Sequence, residues 1–451
     1  MSASDQQGNQ TKVQVTPGGP VCGHIRPPGS KSLTNRALVC AAFAGGESTL
    51  TGALRSEDTA VMIDALRLIG VVIDVADGGR TLKVSGATRK SLSSSSTMLE
   101  PYIANSGTTV RFLTAALSAA GGNFRLHGVP RMHERPIQDL VAAIEPVQLG
   151  EICTVSSGGC PPVLIQSDGW QGGQISVAGS VSSQYLSGLM MAAPISNARQ
   201  SQRTRISVTG ELVSRPYVEM TASVIRSFGC SVEIEDDGRS IEIGSQPYVS
   251  CDYQIEPDAS AASYFWAAAA ITQGDVTVQG LNRDALQGDV GFCEVLQQMG
   301  CQVEYSGDAI RVIGNTLHGI DINMNQISDT VQTLAVVALF ADGPTRVRGV
   351  AHNRFKETDR IGDLACELRK LGAEIQEHED GLTIIPPSTG MLKPADLDTY
   401  HDHRMAMSLC LAGLRMNGVG VKDPSCTRKT YPEFFADLEQ LTKRPHHWTT
   451  L

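Results

Sequence analysis

The chain has 451 residues, enough to bury a large core, and its 37 Lys and Arg against 47 Asp and Glu leave a formal charge of −10. That balance argues against nucleic-acid or acidic-membrane binding held by bulk charge, so any anion must be bound locally. Charged residues make up 19% and Gly numbers 45, which reads as a globular chain with many tight turns. No apolar run approaches the roughly 18 residues that cross a bilayer. The polar start has neither the basic nor the apolar region of a leader, so a cytosolic protein is expected. Its 11 Cys include no C-x-x-C pair and are expected to be reduced and mostly buried.

In chain order, residues 1–11 read as a disordered tail and Lys12 to Val15 as a first strand. Six apolar helices follow, each introduced by small polar or cap-forming residues. Ser32-Leu33-Thr34 leads into Arg36 to Phe43, Asn105-Ser106-Gly107-Thr108 into Val110 to Ala120, and Ser182-Ser183-Gln184 into Tyr185 to Ala193. The other three are Asp258-Ala259-Ser260 into Ala261 to Ile271, Ser328-Asp329-Thr330 into Val331 to Ala341, and Asp402-His403-Arg404 into Met405 to Leu414. Each runs into a short alternating strand, closed in five copies by Gly52, Gly128, Gly210, Gly280 and Gly349 at spacings near one sixth of the chain.

A second, amphipathic helix ending in Gly and a hairpin complete the unit. They are clear at Gly70 into Val71 to Val84, Gly229 into Ser231 to Ile243, Gly300 into Gln302 to Ile313 and Gly372 into Ala373 to Ile385. The second copy, around Leu149-Gly150, is irregular, the sixth lacks its hairpin, and the Ser91 to Ser96 run reads as a flexible surface loop. The fold expected is α/β: a two-lobed, inside-out α/β barrel of six helix-strand-helix-strand-strand units, three per lobe, with buried helices. Lobe 1 is placed at residues 27–250 and lobe 2 at 12–26 plus 251–451, because the first strand can supply what the sixth unit lacks.

A buried helix whose N-terminus opens on a cleft between lobes offers unpaired N–H groups and a positive dipole end to an anion. The helix starts carry Lys31, Ser32, Arg36, Ser182, Ser183, Gln184, Asp329, His403 and Arg404. Loops after the repeat strands carry Arg131, Ser214, Tyr217, Lys356, Glu357, Arg360 and Lys429. Any one of these could be an ordinary cap or a solvated charge. Their recurrence at corresponding positions instead suggests two anionic substrates, or one with several anionic groups. The Walker, dinucleotide, zinc-protease and nucleophile-elbow motifs are absent, and no Cys or His cluster has metal-ligand spacing. Acid and base groups within a cationic site, with no metal and no cofactor, are therefore expected.

Eight segments taken in order resemble the 5-enolpyruvylshikimate-3-phosphate synthase family. They are Pro28-Gly29-Ser30-Lys31-Ser32-Leu33-Thr34-Asn35-Arg36, Asn105-Ser106-Gly107-Thr108-Thr109-Val110-Arg111, Pro130-Arg131-Met132-His133-Glu134-Arg135-Pro136 and Ser182-Ser183-Gln184. The rest are Ser214-Arg215-Pro216-Tyr217, Lys356-Glu357-Thr358-Asp359-Arg360, Asp402-His403-Arg404-Met405-Ala406-Met407 and Lys429-Thr430-Tyr431-Pro432. The resemblance implies two lobes that close on shikimate 3-phosphate and phosphoenolpyruvate and transfer the enolpyruvyl group, with no partner beyond these small molecules and no need for more than a monomer.

It further implies that Ser32, Arg36, Ser182, Ser183, Gln184, Ser214, Tyr217 and Lys356 hold shikimate 3-phosphate. Gly107, Arg131, Gln184, Arg360, Arg404 and Lys429 would hold phosphoenolpyruvate, with Lys31 between the two. Asp329 would orient and deprotonate the acceptor hydroxyl and Glu357 would exchange the carbon proton, assisted by Lys31 and His403. Three positions depart from the family pattern: His352, where Asn is common and Asn353 competes for the contact, Ser106 for Ala, and Phe112 for Pro. The last two flank the site of the family's inhibitor glyphosate, while the permissive Gly107 is retained. The sister transferase acting on UDP-N-acetylglucosamine would need a reactive Cys, and Cys153 and Cys160 have no neighbouring cation in sequence.

Overall fold

The computed structural model describes residues 11–86, 97–179, 182–200, 203–210, 212–387 and 391–450. The expected tail up to residue 10 and the Ser91 to Ser96 loop lie outside these residues. The chain divides into two compact lobes, Gly29–Glu256 and a second made of the segment ending at Pro28 together with Pro257–Leu451. None of the helices among the described residues is long and apolar enough to cross a membrane.

Each lobe is built around three helices that are largely apolar and buried over most of the residues whose burial is described. In the Gly29–Glu256 lobe they are Lys31–Ala42, Gly107–Ala120 and Ser183–Gln200. In the other they are Ala259–Thr272, Val331–Ala338 and His403–Leu409. The helices Gly107–Ala120 and Ala259–Thr272 are buried along their whole length. Their first turns are fixed by side-chain caps: Ser30 accepts from the Leu33 N–H, Ser106 from Thr109, Asp258 from Ala261 and Asp402 from Arg404. In the second lobe one hydroxyl from each buried helix joins a chain, Ser263 to Thr333 at 3.1 Å and Thr333 to Ser408 at 3.3 Å.

Three sheets surround each trio of helices, all on one recipe. The strand after the buried helix pairs antiparallel with a hairpin on one side and parallel with a short edge strand on the other. Asp275–Gln279, for example, sets Val276 opposite Val312 of the hairpin and Gly23 of the edge strand. In the irregular second copy the parallel partner shrinks to isolated bridges, Leu99 with Phe124 and Tyr102 with His127. In the sixth the two chain ends replace the hairpin, because Val419–Lys422 pairs with Thr11–Gln14, which pairs in turn with His447–Thr450.

The edge strand preceding each buried helix was not part of the expected unit, and it moves the lobe boundaries. Cys22–Ile25 precedes the Lys31 helix yet pairs in the second lobe, and Asp252–Gln254 precedes the Ala259 helix yet pairs with Glu47–Thr51 in the first. The chain thus changes lobe between an edge strand and its helix, at Pro28/Gly29 and Glu256/Pro257 rather than at 26/27 and 250/251.

Four of the five strand-closing glycines take left-handed backbone, with φ +73° at Gly52, +77° at Gly210, +83° at Gly280 and +76° at Gly349. The fifth, Gly128, is required by space, since a Cβ there would collide with the Ala104 carbonyl oxygen. At Gly210 no described atom lies within 4 Å of an added Cβ. Gly210→Ala should therefore cost about 1–2 kcal/mol through φ alone, and Gly210→Asn should cost less because Asn tolerates this conformation. At Gly128 Asn should bring no such relief over Ala. Urea unfolding midpoints of the four variants test this, and equal losses for Ala and Asn at Gly210 would contradict it.

Candidate active site

In the second lobe the site is organised around Arg360, which lies in the turn before the helix Gly362–Lys370 and is 2% exposed. Its guanidinium donates to Asp402 from Nε at 2.7 Å and Nη2 at 3.2 Å, to Glu357 at 2.8 Å and to Asp329 at 3.3 Å. Burial lowers the pKa of such a group, but Asp402, then Glu357 and Asp329, more than reverse that and hold it above the ordinary value. Arg404 in the first turn of its helix donates to the second Asp329 oxygen at 2.7 Å, and Lys429 reaches Glu357 at 2.9 Å. Asp329 and Glu357 are thus each held by two cations.

Around this cluster, Asp402 caps its helix through the Arg404 N–H at 2.8 Å while gripping Arg360. His403, 1% exposed, has Nδ1 3.7 Å from Asp402. Ser260 accepts from Arg404 at 3.4 Å and donates to Asp289, a carboxyl that burial and then the Asp329 charge push up to about 7. The two alternatives at the departure from family pattern separate. Asn353 donates to the Ser328 carbonyl at 2.9 Å and its backbone carbonyl accepts from Arg360, so it braces the turn carrying Asp329. His352 feels Lys356, Asp329 and Arg360 directly, and burial first, then Lys356, lower it to about 4, leaving a neutral imidazole near neutral pH.

In the Gly29–Glu256 lobe cations gather largely without carboxylates. Arg36 donates to Thr221 at 2.7 Å, to the Ser32 carbonyl at 2.9 Å, to Ser187 at 3.0 Å and to the Tyr217 carbonyl at 3.5 Å. Its guanidinium lies over Phe112 at 5.1 Å and Tyr217 at 5.8 Å, and burial lowers it to about 10. Phe112, one of the departures, is thus the floor beneath Arg36, and Ser106, another, is the cap of the Gly107 helix. Ser214 starts the helix Arg215–Ser227 in left-handed backbone at φ +54°, and Ser182 caps the Gln184 N–H at 3.3 Å. Ser183 is buried in the first turn of its helix. Lys31 stands 3.6 Å from Asp58.

At the N-terminus of the Gly107 helix the structure places Arg135, and not the expected Arg131, beside Gly107. Arg131 is half exposed and ion-paired with Glu134 at 2.6 Å. Arg135 takes its place, because the short helical turn Pro130–Glu134 ends there and turns its guanidinium onto Asn105, at 3.1 Å to the carbonyl and 3.3 Å to the side chain. Arg111 joins it from within the helix, donating to the Gly107 carbonyl at 3.1 Å and to Gln184 at 3.0 Å. A Cβ on Gly107 would stand 2.5 Å from Arg111 Nη1 and 2.6 Å from Arg135 Nη2, so both guanidiniums rest against its bare Cα. Two cations at a helix N-terminus form an anion site. Arg111 and Arg135 stood in quoted motifs but were not singled out, and neither was Asp402, whose cap position was the only signal for it. Burial pushes the Cys160 thiol up, away from the reactive thiolate that the sister chemistry needs.

The profile of the EPSP synthase (3-phosphoshikimate 1-carboxyvinyltransferase) family matches residues 15–438. The chloroplastic 3-phosphoshikimate 1-carboxyvinyltransferase of Brassica napus is 43% identical over 448 residues, covering 96% of this chain and 86% of that protein. The 3-phosphoshikimate 1-carboxyvinyltransferase of Aliivibrio salmonicida is 42% identical, covering 93% of this chain and 97% of that protein. A solved EPSP synthase from Acinetobacter baumannii matches with TM-score 0.80 at 26% identity, over 98% of this chain and 100% of its own. The enolpyruvyl transferase NikO from Streptomyces tendae shares the fold, with TM-score 0.74 at 18% identity over 98% of this chain and 100% of its own. These matches run over most or all of both partners, the family match spans the residues of both clusters, and the chain belongs to the EPSP synthase family.

Proposed function

We propose that the chain transfers the enolpyruvyl group of phosphoenolpyruvate to the 5-hydroxyl of shikimate 3-phosphate, releasing phosphate, as a cytosolic monomer of the shikimate route to chorismate and the aromatic amino acids. The observation that carries this reading is that Asp329 and Glu357, the two carboxylates such a transfer needs, each sit between two cations that an anionic substrate can claim.

The hydroxyl oxygen attacks C2 of phosphoenolpyruvate, its proton passes to Asp329, and the methylene carbon takes a proton from Glu357, giving a tetrahedral intermediate. Elimination returns the carbon proton to Glu357 as the C2–phosphate oxygen bond breaks, and the proton held by Asp329 leaves with the phosphate, so both carboxyls are restored. While Arg360 and Arg404 hold Asp329 it is a weak base. Phosphoenolpyruvate, bound by Arg360, Arg404 and Lys429, competes for those donors and restores the basicity of Asp329. Binding of phosphoenolpyruvate thereby switches on the base that acts on its co-substrate. Shikimate 3-phosphate is held by Ser32, Arg36, Ser182, Ser183, Gln184, Ser214, Tyr217 and Lys356. Lys31 and His403 assist, and Gly107 with Arg135 and Arg111, in place of Arg131, completes the phosphoenolpyruvate set.

Asp329→Ala should keep shikimate 3-phosphate affinity within about an order of magnitude while turnover falls by about 10²–10⁴, measured by calorimetry and phosphate release. Lost affinity with intact turnover would contradict the role. Arg135→Ala should raise KM for phosphoenolpyruvate at least tenfold, the scale of one lost charged hydrogen bond, whereas Arg131→Ala should leave it within about twofold, as for an exposed ion pair. Steady-state kinetics decide, and the reverse order would restore Arg131.

A further inference from the structure

Two consecutive residues just before Asp402 carry left-handed backbone without being glycine: Tyr400 at φ +53° and His401 at φ +56°. The Asp402 N–H closes the turn on the Thr399 carbonyl at 2.8 Å, so both central residues of a tight turn have positive φ, a geometry that Gly, Asn and Asp dominate. Such backbone persists only where its surroundings over-determine it. Here the surroundings are specific. Glu367, wholly buried on the outer helix Gly362–Lys370, accepts from the Asp398 N–H at 2.9 Å and from the Tyr400 hydroxyl at 2.7 Å. Lys370 pairs with Glu367 at 2.7 Å and with Asp398 at 2.9 Å, tying the carboxylate to the loop. On the other flank His401 Nδ1 meets Asp423 at 2.7 Å.

The geometry points to Glu367 as a positioning residue for the reaction proposed above, on which this inference rests. Glu367 reaches no group of the Arg360 cluster itself. Its grip on Asp398 and Tyr400 sets the strained turn, and the turn delivers Asp402 fully buried and at hydrogen-bond distance from both Arg360 Nε and the Arg404 N–H. If the turn relaxes, Asp402 withdraws. Arg360 then swings toward its remaining partners, Asp329 and Glu357, and away from the place where it meets phosphoenolpyruvate.

Tyr400→Phe removes one bond of the clamp and keeps the ring. It should raise KM for phosphoenolpyruvate about three- to tenfold, as for one lost hydrogen bond, with KM for shikimate 3-phosphate within twofold. Glu367→Gln, with its ion pair also gone, should do the same or more. Adding His401→Gly to Tyr400→Phe should recover part of the loss, because glycine adopts the left-handed turn without the steric cost a side chain carries, even with the Asp423 contact gone. A purely structural clamp would show no such rescue. A readout independent of turnover is the Arg360 Nε–H resonance in ¹⁵N-labelled protein, which should move in Tyr400→Phe and return in the double variant. An unmoved resonance, or equal losses for both substrates that follow lowered Tm without rescue, overturns the proposal. Absence of wild-type turnover with shikimate 3-phosphate would overturn the reaction assigned to this site, while the resonance still judges the clamp.

Discussion

A guanidinium almost wholly out of water is tolerable only if its charge is met within hydrogen-bond distance, and Arg360 imposes that condition on everything near it. Three carboxylates answer it: Asp402 from a helix cap, Glu357 from the preceding loop and Asp329 from the turn entering another buried helix. Removing one partner of such a buried pair ordinarily costs several kcal/mol, about 3–5, so these three elements are bound to one another by charge as well as by packing. The site is therefore a consequence of how the lobe is held together. Arg404 and Lys429 then give Asp329 and Glu357 a second cation each.

The other lobe solves the opposite problem. Arg36 and Arg111 are buried against carbonyls, hydroxyls, an amide oxygen and aromatic rings in place of carboxylates. Burial without a counter-charge is why Arg36 is lowered to about 10. The bare Cα of Gly107 lets two guanidiniums approach one helix N-terminus. One lobe thus holds buried positive charge against carboxylates, and the other holds it against neutral oxygens and aromatic rings.

Much of this was legible in the sequence because four of the six units repeat three signals of different period, and the other two keep part of them: a largely apolar helix, an alternating strand ending in Gly, and an amphipathic helix before a hairpin. Most of the second cluster was legible too, since Asp329, Glu357, Arg360, Arg404 and Lys429 sit at corresponding repeat positions. The edge strands escaped notice because Asp252–Gln254 and Asp321–Asn323 have three residues each, too few for alternation to register. Their exchange at the two crossings is a matter of pairing, which no local pattern encodes. Arg131 and Arg135 lie within one short motif, and only the way the Pro130–Glu134 turn ends decides which faces Gly107. The left-handed turn at Tyr400-His401 was hidden because neither residue type announces positive φ.

The central claim is that these two clusters serve enolpyruvyl transfer to shikimate 3-phosphate. Phosphate release from phosphoenolpyruvate by the purified protein, with no metal added, tests it most directly when shikimate 3-phosphate is compared with UDP-N-acetylglucosamine as acceptor. Release with shikimate 3-phosphate alone is the result predicted. Release with the nucleotide sugar, or with neither acceptor, would contradict it.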